Sequence, residues 1–310
     1  MHNAKFVGIL FAASVAAVCN GKPPRASVIV HVTNAETGAV VSGALAGVTF
    51  TVPANGGGAS DVNRSALTDA NGDFRVTGET MPYIAVGAQR SGYYKTGLNV
   101  DLKPTLKDAY EEELVVPVML KRIVDPVPMY ARKRARLEMP TVNKPVGFDL
   151  LSFDWLPPYG GGIVADFVFT LTENPSDKSS KTLSLNFSNL DDGILAVDVD
   201  PKQGSALRLP RTAPDAGYEP QWVRVAGTRY APQENRNYFY RIRTVRDGAK
   251  IRSALYGKIH GDIGVDIINS KTAFIFLSYY LNPDGSRNVE FDPNKNLFID
   301  LPVIERVRDP

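Results

Sequence analysis

In the second half of this chain of 310 residues, apolar side chains recur at every second position in one short run after another. Phe167, Phe169 and Leu171 alternate with Asp166, Val168 and Thr170; Leu183, Leu185 and Phe187 alternate with Ser184, Asn186 and Ser188; Leu195, Val197 and Val199 alternate with Ala196, Asp198 and Asp200. A period of two puts successive side chains on opposite faces of an extended chain, so each run reads as a strand with one face toward a core and one toward water. Further runs at 222–226, 238–245, 251–267 and 272–280 continue the pattern, and Asn282-Pro283-Asp284-Gly285 supplies a turn into 288–291. About eight antiparallel strands must close or stack to hide their edges, which predicts a jelly-roll-like β-sandwich over residues 147–310.

The N-terminal third has its own strand pattern. Val28, Val30 and Val32 alternate, β-branched residues crowd 41–52, and 83–88, 98–102 and 114–120 read as further strands. Pro117 confines the last of these to an edge or a bulge, because proline has no N–H for a ladder. Thr37-Gly38-Ala39-Val40 is a first turn, and Leu67-Thr68-Asp69-Ala70-Asn71-Gly72-Asp73-Phe74 reads as the turn of a β-hairpin. With Ser91-Gly92-Tyr93-Tyr94 behind them, these residues resemble the carboxypeptidase regulatory-like (transthyretin-like) domain. The resemblance covers residues 26–121. It implies a small Ig-like β-sandwich of the kind attached to secreted and envelope proteins, and it implies no activity.

The chain thus reads as all-β, with two sandwiches at 26–121 and 147–310. The texture changes between them. Pro126, Pro128, Pro140 and Pro145 flank a basic cluster of Arg132, Lys133, Arg134 and Arg136, which predicts a semi-extended linker over 122–146. The cluster is either an anchor for anionic envelope polymer or lipid, or a solvated connector whose arginines pair with nearby acids.

At the N-terminus, Lys5 precedes an apolar run from Phe6 to Val18, the length of a signal-peptide core and too short to span a bilayer. Residues 1–19 therefore read as a signal peptide and the mature chain as exported to the periplasm, the cell surface or the medium. Ala16-Ala17-Val18-Cys19 also resembles a lipobox, in which Cys19 would carry a lipid anchor. Cys19 is the only cysteine, so stability has to come from packing rather than disulfides. With 35 basic against 33 acidic residues, charge implies no nucleic-acid partner, and a membrane enters only through that possible anchor.

Chemistry-bearing patterns are sparse. Asp69, Asn71 and Asp73, and again Asp292, Asn294 and Asn296, have the one-three-five spacing of calcium loops, but Phe74 and Leu297 stand where such a loop needs glycine. Calcium is the one metal worth naming, and no cofactor is implied. His260 lies between Lys258 and Asp262 on a strand face with Tyr256, which reads as a solvated row of cross-strand charges. Gly160-Gly161-Gly162 lies between β segments and offers no helix N-terminus to phosphate.

Aromatic residues carry the binding reading. Trp155, Tyr159, Tyr218, Trp222 and Tyr230 lie near predicted loops, where half-exposed rings stack on sugars; the competing assignment is core or corner packing. The residues argue more against an enzyme than for one. They point to a non-catalytic exported protein that binds carbohydrate or protein at the cell envelope. A structural spacer of the envelope, and a polysaccharide hydrolase using paired aspartates, are the alternatives.

Overall fold

The computed structural model describes residues 23–54, 57–102, 104–106, 109–110, 113–173, 180–200, 203–226, 232–269 and 272–310. The expected signal peptide, Cys19 and Tyr230 lie outside these residues. The chain forms two compact units, Met1–Ile123 with Lys202–Ala206, and Val124–Pro201 with Leu207–Pro310. Both are built from strands, as the alternation requires.

The first unit contains β1 (Arg25–Asn34), β2 (Leu45–Pro53), β3 (Ala59–Leu67), β4 (Asp73–Glu79), β5 (Tyr83–Gln89), β6 (Thr96–Asp101), β7 (Pro104–Leu106), β8 (Ala109–Tyr110) and β9 (Leu114–Leu120). One sheet runs β4-β1-β8-β7 with β9 also on β1, and the other runs β3-β2-β5-β6. β9 is parallel to β1, with Pro117 opposite His31. Val28, Val30 and Val32 of β1 meet Val48 and Phe50 of β2 and Ile84 and Val86 of β5 in one core. Burying each such side chain contributes about 1.5–3 kcal/mol.

The stretch Leu67–Phe74 differs from its expected role as a hairpin. β3 and β4 belong to different sheets and β4 pairs with β1, so the turn crosses between the sheets. Buried Thr68 pins this corner, donating from Oγ1 to the Val41 carbonyl (2.7 Å) and accepting from the Ala44 N–H (3.0 Å). Gly72 has φ +76°, and a Cβ there would lie 2.7 Å from the Val32 carbonyl oxygen, so only glycine fits.

The second unit contains β10 (Val127–Glu138), β11 (Val146–Asp149), β12 (Asp154–Trp155), β13 (Phe167–Glu173), β14 (Lys181–Asn186), β15 (Gly193–Asp198), β16 (Gln221–Ala226), β17 (Arg236–Asp247), β18 (Lys250–Ile259), β19 (Gly264–Ile267), β20 (Ala273–Asn282) and β21 (Phe291–Asn296). A five-stranded sheet, β12-β11-β13-β14-β16, stacks on a seven-stranded one, β15-β17-β18-β20-β10-β21 with β19 on β20. Phe148, Phe167, Phe169, Leu183, Tyr240 and Ile275 are among the buried residues between them.

The linker expected over 122–146 is a correction, because much of it is β10, paired with β20 and β21. A bulge between Arg132 and Ala135 hid the strand from view by switching its faces. Met129 and Ala131 join one core and Leu137 and Met139 the other. Arg132 and Arg136 are engaged rather than free to anchor a polymer. Arg132 pairs with Glu305 and its guanidinium lies 3.7 Å from the Phe153 ring centroid, while Arg136 lies 3.6 Å from that of Phe274.

A second correction concerns the row Tyr256, Lys258, His260 and Asp262. Tyr256, Lys258 and His260 lie on a covered face of the larger sheet, not a solvated one, and Asp262 turns to the other side, where it accepts from the Tyr238 hydroxyl at 2.6 Å and pairs with Arg224. Leu209, Ala213, Val289 and Val307 pack with Phe239, Tyr256 and Tyr280 in a separate core on the far side of the sheet, which buries Lys258 completely.

Candidate binding surface on the second sandwich

Three aspartates at strand boundaries meet one arginine. Asp149 closes β11, Asp166 precedes β13, Asp192 precedes β15, and Arg243 sits in a bulge of β17 with φ +53°. Arg243 donates to Asp166 through Nε (2.7 Å) and Nη2 (2.9 Å) and to Asp149 through Nη2 (3.1 Å). Asp192 accepts from the backbone N–H groups of Arg243 and Thr244, each at 2.9 Å.

The carboxylates also organise the loop between β11 and β13. Asp149 accepts four backbone N–H bonds, from Leu151 (3.0 Å), Ser152 (3.3 Å), Ile163 (3.0 Å) and Val164 (3.1 Å). Asp166 accepts from Leu150 N–H at 2.9 Å. Farther out, Asp154 accepts from Gly161 N–H at 2.8 Å. Two of the three glycines are required by this closeness: a Cβ on Gly160 would lie 2.5 Å, and one on Gly162 3.0 Å, from the Trp155 carbonyl oxygen.

Electrostatics follow from burial. Desolvation pushes the Asp166 carboxyl up, against the opposing pull of Arg243. It acts upward on Asp149 as well, but the four backbone donors outweigh it and hold that carboxyl below its ordinary range. Asp192 is raised, again by burial first. Arg243 is raised, chiefly by its bond to Asp166. Two aspartates with divergent acidities resemble an acid/base pair. Here, however, both are buried and their oxygens are committed to Arg243 and the backbone, whereas hydrolysis needs them flanking a substrate bond in a cleft.

This frame presents three large apolar side chains to solvent. Tyr159 is 42% exposed and Ile163 84% exposed on the β11–β13 loop, and Leu190 is 98% exposed on the loop before β15. The two loops touch where the Ser188 hydroxyl donates to the Ala165 carbonyl at 2.8 Å, and both are bonded to Arg243 or its neighbours. Sequence reasoning missed Ile163 and Leu190, because an aliphatic residue beside a strand reads as core.

Of the aromatic residues singled out from the sequence, Tyr159 alone is exposed among those described. Trp155 packs edge-on against Phe148 (5.0 Å) and Phe169 (6.0 Å). Trp222 packs edge-on against Tyr238 and donates from Nε1 to its hydroxyl at 3.2 Å. Tyr218 donates to the Pro214 carbonyl at 2.8 Å beneath the Arg241 guanidinium, and burial pushes its phenol up. The described rings are therefore not gathered into one platform. The first calcium-like spacing belongs to a turn, where Asp69 Oδ1 accepts from the Asn71 and Asp73 N–H groups; the second lies on β21, where Asp292 Oδ1 accepts from the Asn294 N–H.

No family model matches the chain, and no curated protein matches it. Among solved structures, a candidate carbohydrate binding protein from Bacteroides uniformis ATCC 8492 is 10% identical, with 82% of this chain and 98% of that one covered and a TM-score of 0.21. BcpA, the major pilin subunit of Bacillus cereus, is 12% identical over 83% of this chain at a TM-score of 0.22, and the match spans 57% of its length. A candidate membrane-associated protein of unknown function from Bacteroides fragilis NCTC 9343 is 12% identical, with 84% and 98% covered and a TM-score of 0.18. Likenesses at such TM-scores carry no argument about what this chain does. Among the described residues no helix is long and apolar enough to cross a membrane.

Proposed function

We propose that this chain is a non-catalytic, exported β-sandwich protein that binds a protein partner at the cell envelope through the loops carrying Tyr159, Ile163 and Leu190. The carrying observation is that two aliphatic side chains stand almost fully exposed on loops held by a buried ion network. A loop ordered in advance loses little entropy on binding, and desolvating each aliphatic side chain contributes about 1.5–3 kcal/mol. The carboxypeptidase regulatory-like resemblance of residues 26–121 supports the envelope setting, as does the apolar run at 6–18.

A glycan ligand has the exposed Tyr159 ring in its favour. Against it stand the inward-turned Trp155, Tyr218 and Trp222, since sugar platforms need flat accessible rings and make little use of isolated Ile and Leu. The double substitution Ile163→Asp with Leu190→Asp separates the readings. It abolishes co-purification of an envelope protein with the tagged chain in its own host while leaving the melting temperature unchanged. Glycan-panel binding that persists in this variant and is lost in Tyr159→Ala would overturn the protein-partner reading.

A further inference from the structure

The face of the larger sheet opposite the main core contains two buried nitrogens with no hydrogen-bond partner among the described residues, Lys258 Nζ and His260 Nε2. They are two residues apart, and both gather at one ring: Lys258 Nζ lies 4.8 Å from the Tyr280 centroid and the His260 ring 4.5 Å from it. An unpaired polar group in a protein interior costs about 1–3 kcal/mol, more when charged, so two side by side call for a shared partner. Depth is graded: Lys258 is 0% exposed, His260 is half-buried and Arg208 is exposed.

We propose that Lys258 and His260 form a binding site for a small inorganic anion, approached from the side of Arg208. The neighbouring carboxylate, Glu290, is occupied elsewhere. Its oxygens accept from the Val124 and Asp125 N–H groups, each at 3.0 Å, and Arg211 Nε lies 3.5 Å away. Among the described residues, Arg208 and Asp309 also act on this region, through Tyr280. The Tyr280 hydroxyl is directed to the Asp309 carbonyl at 3.4 Å and so leaves the two nitrogens unserved. Burial, opposed by Glu290, pulls Lys258 down to about 7. Burial, then Lys258 and Arg208, hold His260 well below its usual range. An anion reverses both tendencies, so its binding takes up protons and tightens as pH falls.

The test is thermal unfolding of the full chain at pH 6.5 in sodium bromide or sodium phosphate against sodium gluconate at equal ionic strength, with bromide-soaked crystals read by anomalous scattering. The expected result is a saturable rise in melting temperature with bromide, phosphate or both, and, where bromide acts, an anomalous peak within hydrogen-bond distance of Lys258 Nζ. A response to bromide alone assigns a halide-sized site, and one to phosphate alone an oxyanion site. In Lys258→Met and in His260→Gln the apparent affinity falls by about tenfold or more, the loss of one charged hydrogen bond. Equal melting temperatures in all three salts, or a rise undiminished in both variants, would overturn the proposal.

Discussion

Arg243 holds Asp166 in a two-pronged bond, Nε at 2.7 Å and Nη2 at 2.9 Å, and its Nη2 also reaches Asp149 at 3.1 Å. One guanidinium thereby fixes both ends of the β11–β13 loop. Lysine has a single point of charge and cannot reproduce the fork. Arg243→Lys leaves a buried carboxylate under-compensated and is expected to cost about 3 kcal/mol in urea denaturation, with hydrogen exchange of the Ile163 and Val164 amides accelerated first.

Stability should depend on pH through the far face of the larger sheet. Lys258 is lowered from 10.5 to about 7, so between those values the unfolded chain binds the extra proton. Its contribution is therefore present above pH 10.5 and is lost as pH falls toward 7. His260, lowered below 6.5, adds a further loss as pH falls beneath 6.5. In gluconate buffer, urea midpoints should rise from pH 7 to pH 10. Lys258→Met should flatten that rise and stabilise the protein at pH 7 by a few kcal/mol, because each tenfold loss of proton affinity on folding costs about 1.4 kcal/mol.

The aromatic residues should separate by substitution. Trp155→Ala opens the core beside Phe148 and Phe169 and should cost about 3 kcal/mol. Trp222→Phe removes the donor to the Tyr238 hydroxyl and should cost about 1 kcal/mol. Tyr159→Ala should change stability by less than about 0.5 kcal/mol. Only the last should weaken partner binding without moving the denaturation midpoint.

Gly162→Ala tests whether the loop is held by close backbone approach. Its Cβ would lie 2.7 Å from the Asp154 carbonyl oxygen and 3.0 Å from that of Trp155, neither of which can swing aside. A loss of about 1–3 kcal/mol is expected by calorimetry. Gly161→Ala, whose Cβ would meet Asp154 Oδ2 at 3.6 Å, should be tolerated better.

The period-two runs made most strands legible, because a half-buried strand must alternate. β10 escaped for two physical reasons: its bulge switches faces in mid-strand, and prolines at its start resemble a linker. Lys258 read as solvated because alternation reports which residues share a face and cannot report that Leu209, Val289 and Val307 arrive to cover it. Trp155, Tyr218 and Trp222 read as binding rings because the sequence hides the partners that satisfy them inside, such as the Pro214 carbonyl and the Tyr238 hydroxyl. Ile163 and Leu190 were invisible for the converse reason, since nothing in an aliphatic side chain marks it as exposed.

The loops joined at Arg243 are proposed as a protein-binding surface. Its most direct measurement is photo-crosslinking in the living host from a benzophenone amino acid placed at position 163, at position 190, or at exposed Val225 on β16 as a control. Positions 163 and 190 are expected to capture the same envelope protein and position 225 not to capture it. Capture of no protein from 163 and 190, or of the same products from all three positions, would contradict the proposal.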